Sequence, residues 1–324
     1  MDGAPVVILG VSRSGTTLLK EMLDQHSRLA LPSESYFVPQ LWDRHGERPE
    51  RAAFLEDVGR LARIREWGVT VEAVRERLPA QATFAEAIDA IYRAYADLRG
   101  KPRYGDKTPS YMQRLEVLER AFPGALYVHL VRDGRDAALS FLAMRRRARF
   151  NWARPRGLFS FAAQWRRELD GARRFGSRLG PERYTELRYE DLVADPEGKL
   201  RELCAFLGLD WEPGLLEYHR GIDAGALADH PKLAEPPGAG RSDWRTQLSG
   251  ERQERFEAVA GALLDAYGYE RRFPRPSPAA QARAAAERAG LAARIWSWDV
   301  SLAAVRRSPA WRLRQVYIRR SATS

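Results

Sequence analysis

The chain has 324 residues, 44% of them hydrophobic, a net charge of +10 and a single cysteine, Cys204. This length suits one large α/β domain or two modest ones; one cysteine excludes an internal disulfide, and apolar runs too short for a membrane span or signal peptide leave a cytoplasmic enzyme or binding protein as the expectation. Nucleic acid is not expected as a partner, because residues 275–324 carry ten arginines against two acids, so eight of the ten net positive charges sit in that tail.

Val6–Gly10 is short, apolar, β-branched and closed by glycine, which predicts a buried strand. Thr16–Gln25 follows as a helix with Leu18, Leu19, Met22 and Leu23 on one face. Between them Gly10 and Gly15 have the spacing of a phosphate-binding loop, but Thr16 stands where a nucleoside-triphosphate loop has its lysine, and the cation is Arg13. Residues 50–99 are charge-rich with helical apolar spacing and read as a helical section beside a sheet. Ala125–Val131 is a second buried strand, and Asp136–Met144 opens the next helix. Tyr184–Arg188 reads as a short strand, with Pro196–Leu207 and Glu251–Tyr267 as helices.

Pro274, Pro276 and Pro278 punctuate the chain, dividing a domain at 1–274 from a basic helical extension at 275–324. Within the extension Leu291, Ile295, Trp298, Leu302 and Val305 form one helical stripe. That stripe fits an arm docked on its own domain or a homodimer arm; attachment to a membrane surface is disfavoured. Strands alternating with helices imply an α/β fold, a P-loop-like central parallel sheet flanked by helices. Ligands in such sheets bind beyond the carboxyl ends of the strands, where the loop at Gly10–Thr17 and the segment Arg132–Ser140 share a crevice.

Backbone N–H groups at a helix start converge on an anion and the helix dipole assists. Here Ser14, Gly15, Thr16 and Thr17 supply close approach and hydroxyls, and Arg13 a forked cation. A magnesium-dependent kinase would want an acid after a second apolar strand, yet in "LYVHLVRDGRD" Arg132 precedes Asp133 and sets a fixed cation there. Arg132 and Ser140, eight residues apart, make a second anion site. Two such sites suit a ligand with phosphates at two ends.

The residues now resemble the sulfotransferases that use PAPS, 3′-phosphoadenosine-5′-phosphosulfate. "SRSGTTLL" looks like that family's 5′-phosphosulfate loop and "VRDGRDAALS" like its 3′-phosphate segment. "LRYEDLVADPEGKLRELCAFLGL" looks like the segment whose tyrosine, here Tyr189, lies at the adenine. "GRSDWRTQL" followed by "LLDAYGY" resembles the closing segment. The four blocks run in family order across roughly residues 5–270. The nearest branch is the tyrosylprotein and carbohydrate type, which "RSGTTLLKEMLDQHSRLALPSES" resembles.

The resemblance implies Glu34 as catalytic base and Lys107, in "GDKTP" after a short strand, as catalytic lysine beside Arg13. It implies PAPS as co-substrate, PAP as product, no metal, and a small molecule, glycoconjugate or peptidyl tyrosine as acceptor. A carboxylate at its reference pKa near ~4.3 is a weak base, so this role requires surroundings that raise it. No clear counterpart of the loop that closes over the 3′-phosphate is visible; Arg241 and Lys232 are candidates for that work.

Asp106 reads as a turn or N-cap residue, His129 as a buried structural histidine, and His26 as a cap. His45 is the first substitute for Glu34 as base. Phe161, Trp165 and Leu169 read as a helix face packed on the core, while Phe150 and Trp152 are candidates for the acceptor mouth. The rival classes are a small-molecule kinase using ATP–Mg and a non-catalytic nucleotide-binding scaffold. The absent loop lysine counts against the first, and the presence of Glu34 and Lys107 against the second.

Overall fold

Strand β1 (Val6–Leu9) is buried along its whole length and forms the middle of the sheet. It pairs in parallel with β3 (Arg103–Lys107) on one side, Val6 opposite Gly105 and Ile8 opposite Lys107. On the other side it pairs in parallel with β4 (Leu126–Val131), Leu9 opposite His129. The edges are β2 (Leu29–Ala30), parallel to β3, and β5 (Tyr184–Arg188), parallel to β4. The order is therefore β2-β3-β1-β4-β5. Parallel strands covered on both faces select continuous apolar runs, which is why VVIL and LYVHLV announce themselves. The computed structural model from which this is taken describes residues 3–147, 155, 157–220, 231–234 and 243–306; at 145–147, 231–232 and 295–306 only the backbone is described.

The strand β3 breaks that rule. Its sequence is RYGDK, yet all five residues are buried, Asp106 and Lys107 at 1% and 3% exposure. Gly105 is required there, because a Cβ would lie 2.3 Å from the Val6 carbonyl oxygen. The helical section expected at 50–99 is present as α3 (Arg51–Arg60), α4 (Ala62–Glu66), α5 (Val71–Arg77) and α6 (Phe84–Leu98), preceded by α1 (Thr16–Asp24) and α2 (Val38–His45). Thr83 and Glu86 form a reciprocal capping box that starts α6. Tyr92 of α6 stacks on Tyr104 of β3 with ring centroids 5.3 Å apart, which fixes the helix against the strand that carries Lys107.

After β3 come α7 (Leu115–Ala121), β4, α8 (Gly134–Arg147) and α9 (Leu158–Leu179); Phe161, Trp165 and Leu169 are buried on α9, the core face read from their spacing. Then follow β5, α10 (Tyr189–Ala194), α11 (Pro196–Leu207) and the short α12 (Trp244–Gln247). The chain divides into two compact units, Met1–Ala148 with Arg167–Gln247 and Arg149–Arg166 with Leu248–Ser324. The whole sheet belongs to the first.

In the second unit, α13 (Gly250–Ala266) and α14 (Pro278–Arg306) pack on each other. Ala280 and Ala284 of α14 are buried. Arg283 pairs with Glu251 at 3.2 Å, and Arg255 with Glu287 at 3.4 Å. Glu257 accepts the backbone N–H groups of Arg272 and Phe273, which ties the turn before α14 back to α13. The stripe from Ile295 to Val305 continues as helix, with its side chains outside the described residues.

Candidate active site

The loop between β1 and α1 is packed to the limit of what glycine allows. Gly15 caps α1 at φ 95°, and a Cβ there would lie 2.4 Å from the Tyr189 ring. A Cβ on Gly10 would lie 2.6 Å from the Thr16 methyl and 2.8 Å from the Leu130 carbonyl. The loop is therefore sealed against β4 on one side and against the start of α10 on the other. Ser14 and Thr16 are buried at 1% and 3% exposure, and the Ser14 hydroxyl has no partner among the described residues. A buried hydroxyl without a partner is costly, and an oxyanion at this helix start would satisfy it.

Arg13 joins what the sequence presents as two anion sites. Its backbone is left-handed at φ 73°, and its Nε donates to Ser140 Oγ at 3.2 Å. Arg132, at the end of β4, donates from Nη1 to the Arg13 carbonyl at 3.2 Å. The Arg132 guanidinium lies over the Tyr189 ring, 4.5 Å from its centroid. Arg13, Gly15, Arg132, Ser140 and Tyr189 thus converge at the carboxyl ends of β1, β4 and β5. Arg241 and the Lys232 side chain lie outside the described residues.

A second constellation forms on the β3 side. Lys107, at the end of β3, donates to Thr17 Oγ1 at 3.2 Å and to Glu34 Oε1 at 2.6 Å. The other carboxylate oxygen of Glu34 accepts from the Tyr36 hydroxyl. Ser35, between them, is buried and sets the loop: its hydroxyl donates to Asp106 at 2.6 Å and meets Tyr111 OH at 2.7 Å, and its N–H donates to Thr108. Tyr92 also donates to Asp106 at 2.6 Å. Asp106 is thus not a turn or N-cap residue but a buried strand residue. Burial pushes its carboxyl above the usual range, against the pull of the Ser35 and Tyr92 hydroxyls.

Comparison with known proteins decides what this arrangement belongs to. The model of the sulfotransferase family matches residues 5–213. The chain belongs to the sulfotransferase family.

Within that family the chain is similar to omega-hydroxy-beta-dihydromenaquinone-9 sulfotransferase Stf3 of Mycobacterium tuberculosis, 32% identical over 53% of this chain and 42% of the relative. It is also similar to protein-tyrosine sulfotransferase A of Caenorhabditis elegans, 25% identical over 67% of this chain and 53% of the relative. The chain therefore spans about half the length of these two curated relatives, 42% of one and 53% of the other. Among solved structures, the sulfotransferase domain from the curacin biosynthetic pathway aligns with a TM-score of 0.57 at 25% identity, over 83% of this chain and 99% of that one.

The structure adds residues that motif reading passed over. Arg135 is fully buried between a two-point pair with Asp133, the closest contact 2.8 Å, and the Trp244 ring, 3.5 Å from its centroid. Asp136 accepts the Trp244 N–H at 2.9 Å, and Glu190 accepts the Asp133 N–H at 3.0 Å. This cluster holds the start of α8 to α10 and α12, and so fixes Arg132 and Tyr189. The signal available was the RD-GRD run itself, two Arg–Asp pairs flanking a glycine at a strand end. His26, His45 and His129 stand elsewhere. His45 bonds Asp57 at 2.9 Å, with burial pushing its pKa down; His129 is fully buried beside Glu186 and Tyr184. His26 accepts the Arg28 N–H at Nδ1 and bonds the Asp210 carbonyl through Nε2, closing the turn after α1.

Proposed function

We propose that this protein transfers the sulfuryl group of PAPS to a hydroxyl or amine of an acceptor by in-line displacement, with Glu34 as general base. The observation that carries the reading is the chain of contacts Thr17–Lys107–Glu34, which sets a carboxylate and a buried lysine beside the loop between β1 and α1. PAPS, when bound, supplies an activated sulfuryl group on a phosphate leaving group. Ser14, Thr16, Thr17 and the loop N–H groups hold oxygens at one end, and the buried Ser14 hydroxyl, without a partner among the described residues, supports that fit. Arg132 and Ser140 hold the second phosphate, and Tyr189 lies along the adenine. Lys107 and Arg13 set positive charge where negative charge grows on the leaving oxygen, and Glu34 takes the acceptor's proton. Positioning and electrostatics supply most of the acceleration, as in phosphoryl transfer.

The acceptor is a small molecule, a glycoconjugate or a peptidyl tyrosine, and we favour the first two. Two of the relatives are named for a hydroxylated quinone and for tyrosine, which share an attacking hydroxyl. A cytoplasmic setting suits the single, buried Cys204. The test is incubation with PAPS and panels of phenols, sugars and hydroxylated lipids, read by mass spectrometry. Transfer adds one SO3 group, about 80 Da, to the acceptor. An enzyme that leaves PAPS intact with every class, but phosphorylates an acceptor from ATP–Mg, is a kinase and overturns the proposal.

A further inference from the structure

Among the described residues, two that are not glycine have a left-handed backbone, Arg13 at φ 73° and Tyr36 at φ 58°. Such strain persists only where the surroundings over-determine it, and it gathers at functional sites. Arg13 is in the phosphate loop. Tyr36 lies two residues past Glu34, and its neighbours explain its conformation. Ser35 is locked into the core by Asp106, Thr108 and Tyr111, and Phe37 is buried at 1% exposure against Trp67 and Tyr92. Val38 donates its N–H to the Tyr111 hydroxyl, which pins the following residue as well. With both neighbours held inside, Tyr36 is turned out to 42% exposure, and its hydroxyl returns to the Glu34 carboxylate.

Both oxygens of Glu34 therefore carry a donor, Lys107 on Oε1 and Tyr36 on Oε2. One donor on each oxygen leaves a lone pair open, but an acceptor hydroxyl that approaches either oxygen must share it with the donor already there. Lys107 is the fixed one, its side chain 4% exposed and also bonded to Thr17. Tyr36 is the one that yields, since its ring is open to solvent with the Arg63 guanidinium 5.7 Å from its centroid.

We infer that Tyr36 is a positioning residue: its phenol holds the acceptor-facing oxygen of Glu34 in the acceptor-free enzyme, on the side from which an acceptor hydroxyl approaches. The inference rests on the reading of Glu34 as base, but its test does not use turnover. Full-length enzyme labelled with 13C at the glutamate side-chain carboxyl is read by NMR at one fixed pH without nucleotide or acceptor, and the Glu34 resonance is identified by its loss in Glu34→Gln.

Tyr36→Phe removes only the hydroxyl, so the Glu34 carboxylate loses one donor and its 13C resonance is expected to move from the wild-type position. Tyr36→Gly, free of the left-handed strain, is expected to move it in the same direction. A Glu34 resonance unmoved in Tyr36→Phe overturns the inference and leaves the catalytic reading of Glu34 in place. A fully active Glu34→Gln enzyme is the separate result that overturns the reading of Glu34 as base.

Discussion

Glu34 is aimed by its neighbours. Ser35 and Phe37 are held in the core, so the segment has little freedom in where it presents the carboxylate, and Lys107 meets it from the end of a central strand. Glu34→Gln keeps the volume and removes the basicity. Turnover of that variant is expected to fall roughly 10²–10⁴-fold, the scale of general base catalysis, while calorimetry returns nearly the wild-type affinity for PAP. Wild-type turnover on the acceptor would remove Glu34 from the mechanism. Glu34 and Lys107 were singled out by resemblance, each in a short local motif, and the fold brings their side chains together. What surrounds them was not legible in the sequence. Asp106 read as a turn residue because RYGDK has neither apolar alternation nor an apolar run, the two signals by which a strand is recognised. Its burial is offset by hydroxyls from Ser35 and Tyr92, 71 and 14 residues away, and such contacts leave no periodic trace. The strain at Tyr36 is equally silent, since tertiary contacts on both sides impose it.

At the scale of elements, β1 with α1 and β4 with α8 were read to within a few residues, since each pair joins a buried apolar run to an amphipathic helix across a turn. Arg132 and Ser140, read from that local spacing as one anion site, meet through Arg13, which bonds the Ser140 hydroxyl by its side chain and Arg132 by its carbonyl. The Arg135–Trp244 contact does not follow from local spacing, for its partners lie on α8 and α12. Burial and the neighbouring Asp133 push the Asp136 carboxyl up to about 7. The folded chain then keeps a proton that the unfolded chain loses from near ~3.9 upward, so this group costs stability progressively as pH rises through that window and no further above it. Asp136→Asn retains an oxygen for the Trp244 N–H and cannot ionise. It is expected to melt with the wild type near pH 4 and above it at pH 8. Identical pH slopes for the two proteins would show that Asp136 is ionised in both states.

Across the whole molecule, the parallel sheet collects the carboxyl ends of its strands at one edge, which is why residues as distant in sequence as Arg13, Lys107, Arg132 and Tyr189 come to that edge. The basic tail stands apart from this logic. The first turns of α14 are covered by α13 of the same chain, and the dimer-arm reading rests on the stripe beyond residue 290. Shortening the chain after residue 290 tests it by light scattering: a full chain at twice 36.8 kDa that drops to a monomer upholds the dimer arm, and a monomer in both rejects it.

The central claim is that one ligand spans the loop and the Arg132–Ser140 site. Calorimetry of the full chain with PAP and with ADP, which lacks the 3′-phosphate, tests it most directly. A charge-assisted hydrogen bond contributes roughly 1.5–3 kcal/mol, so PAP is expected to bind at least about tenfold more tightly than ADP, and Arg132→Ala to erase most of that difference. Equal affinities for PAP and ADP in the wild-type protein would contradict the account.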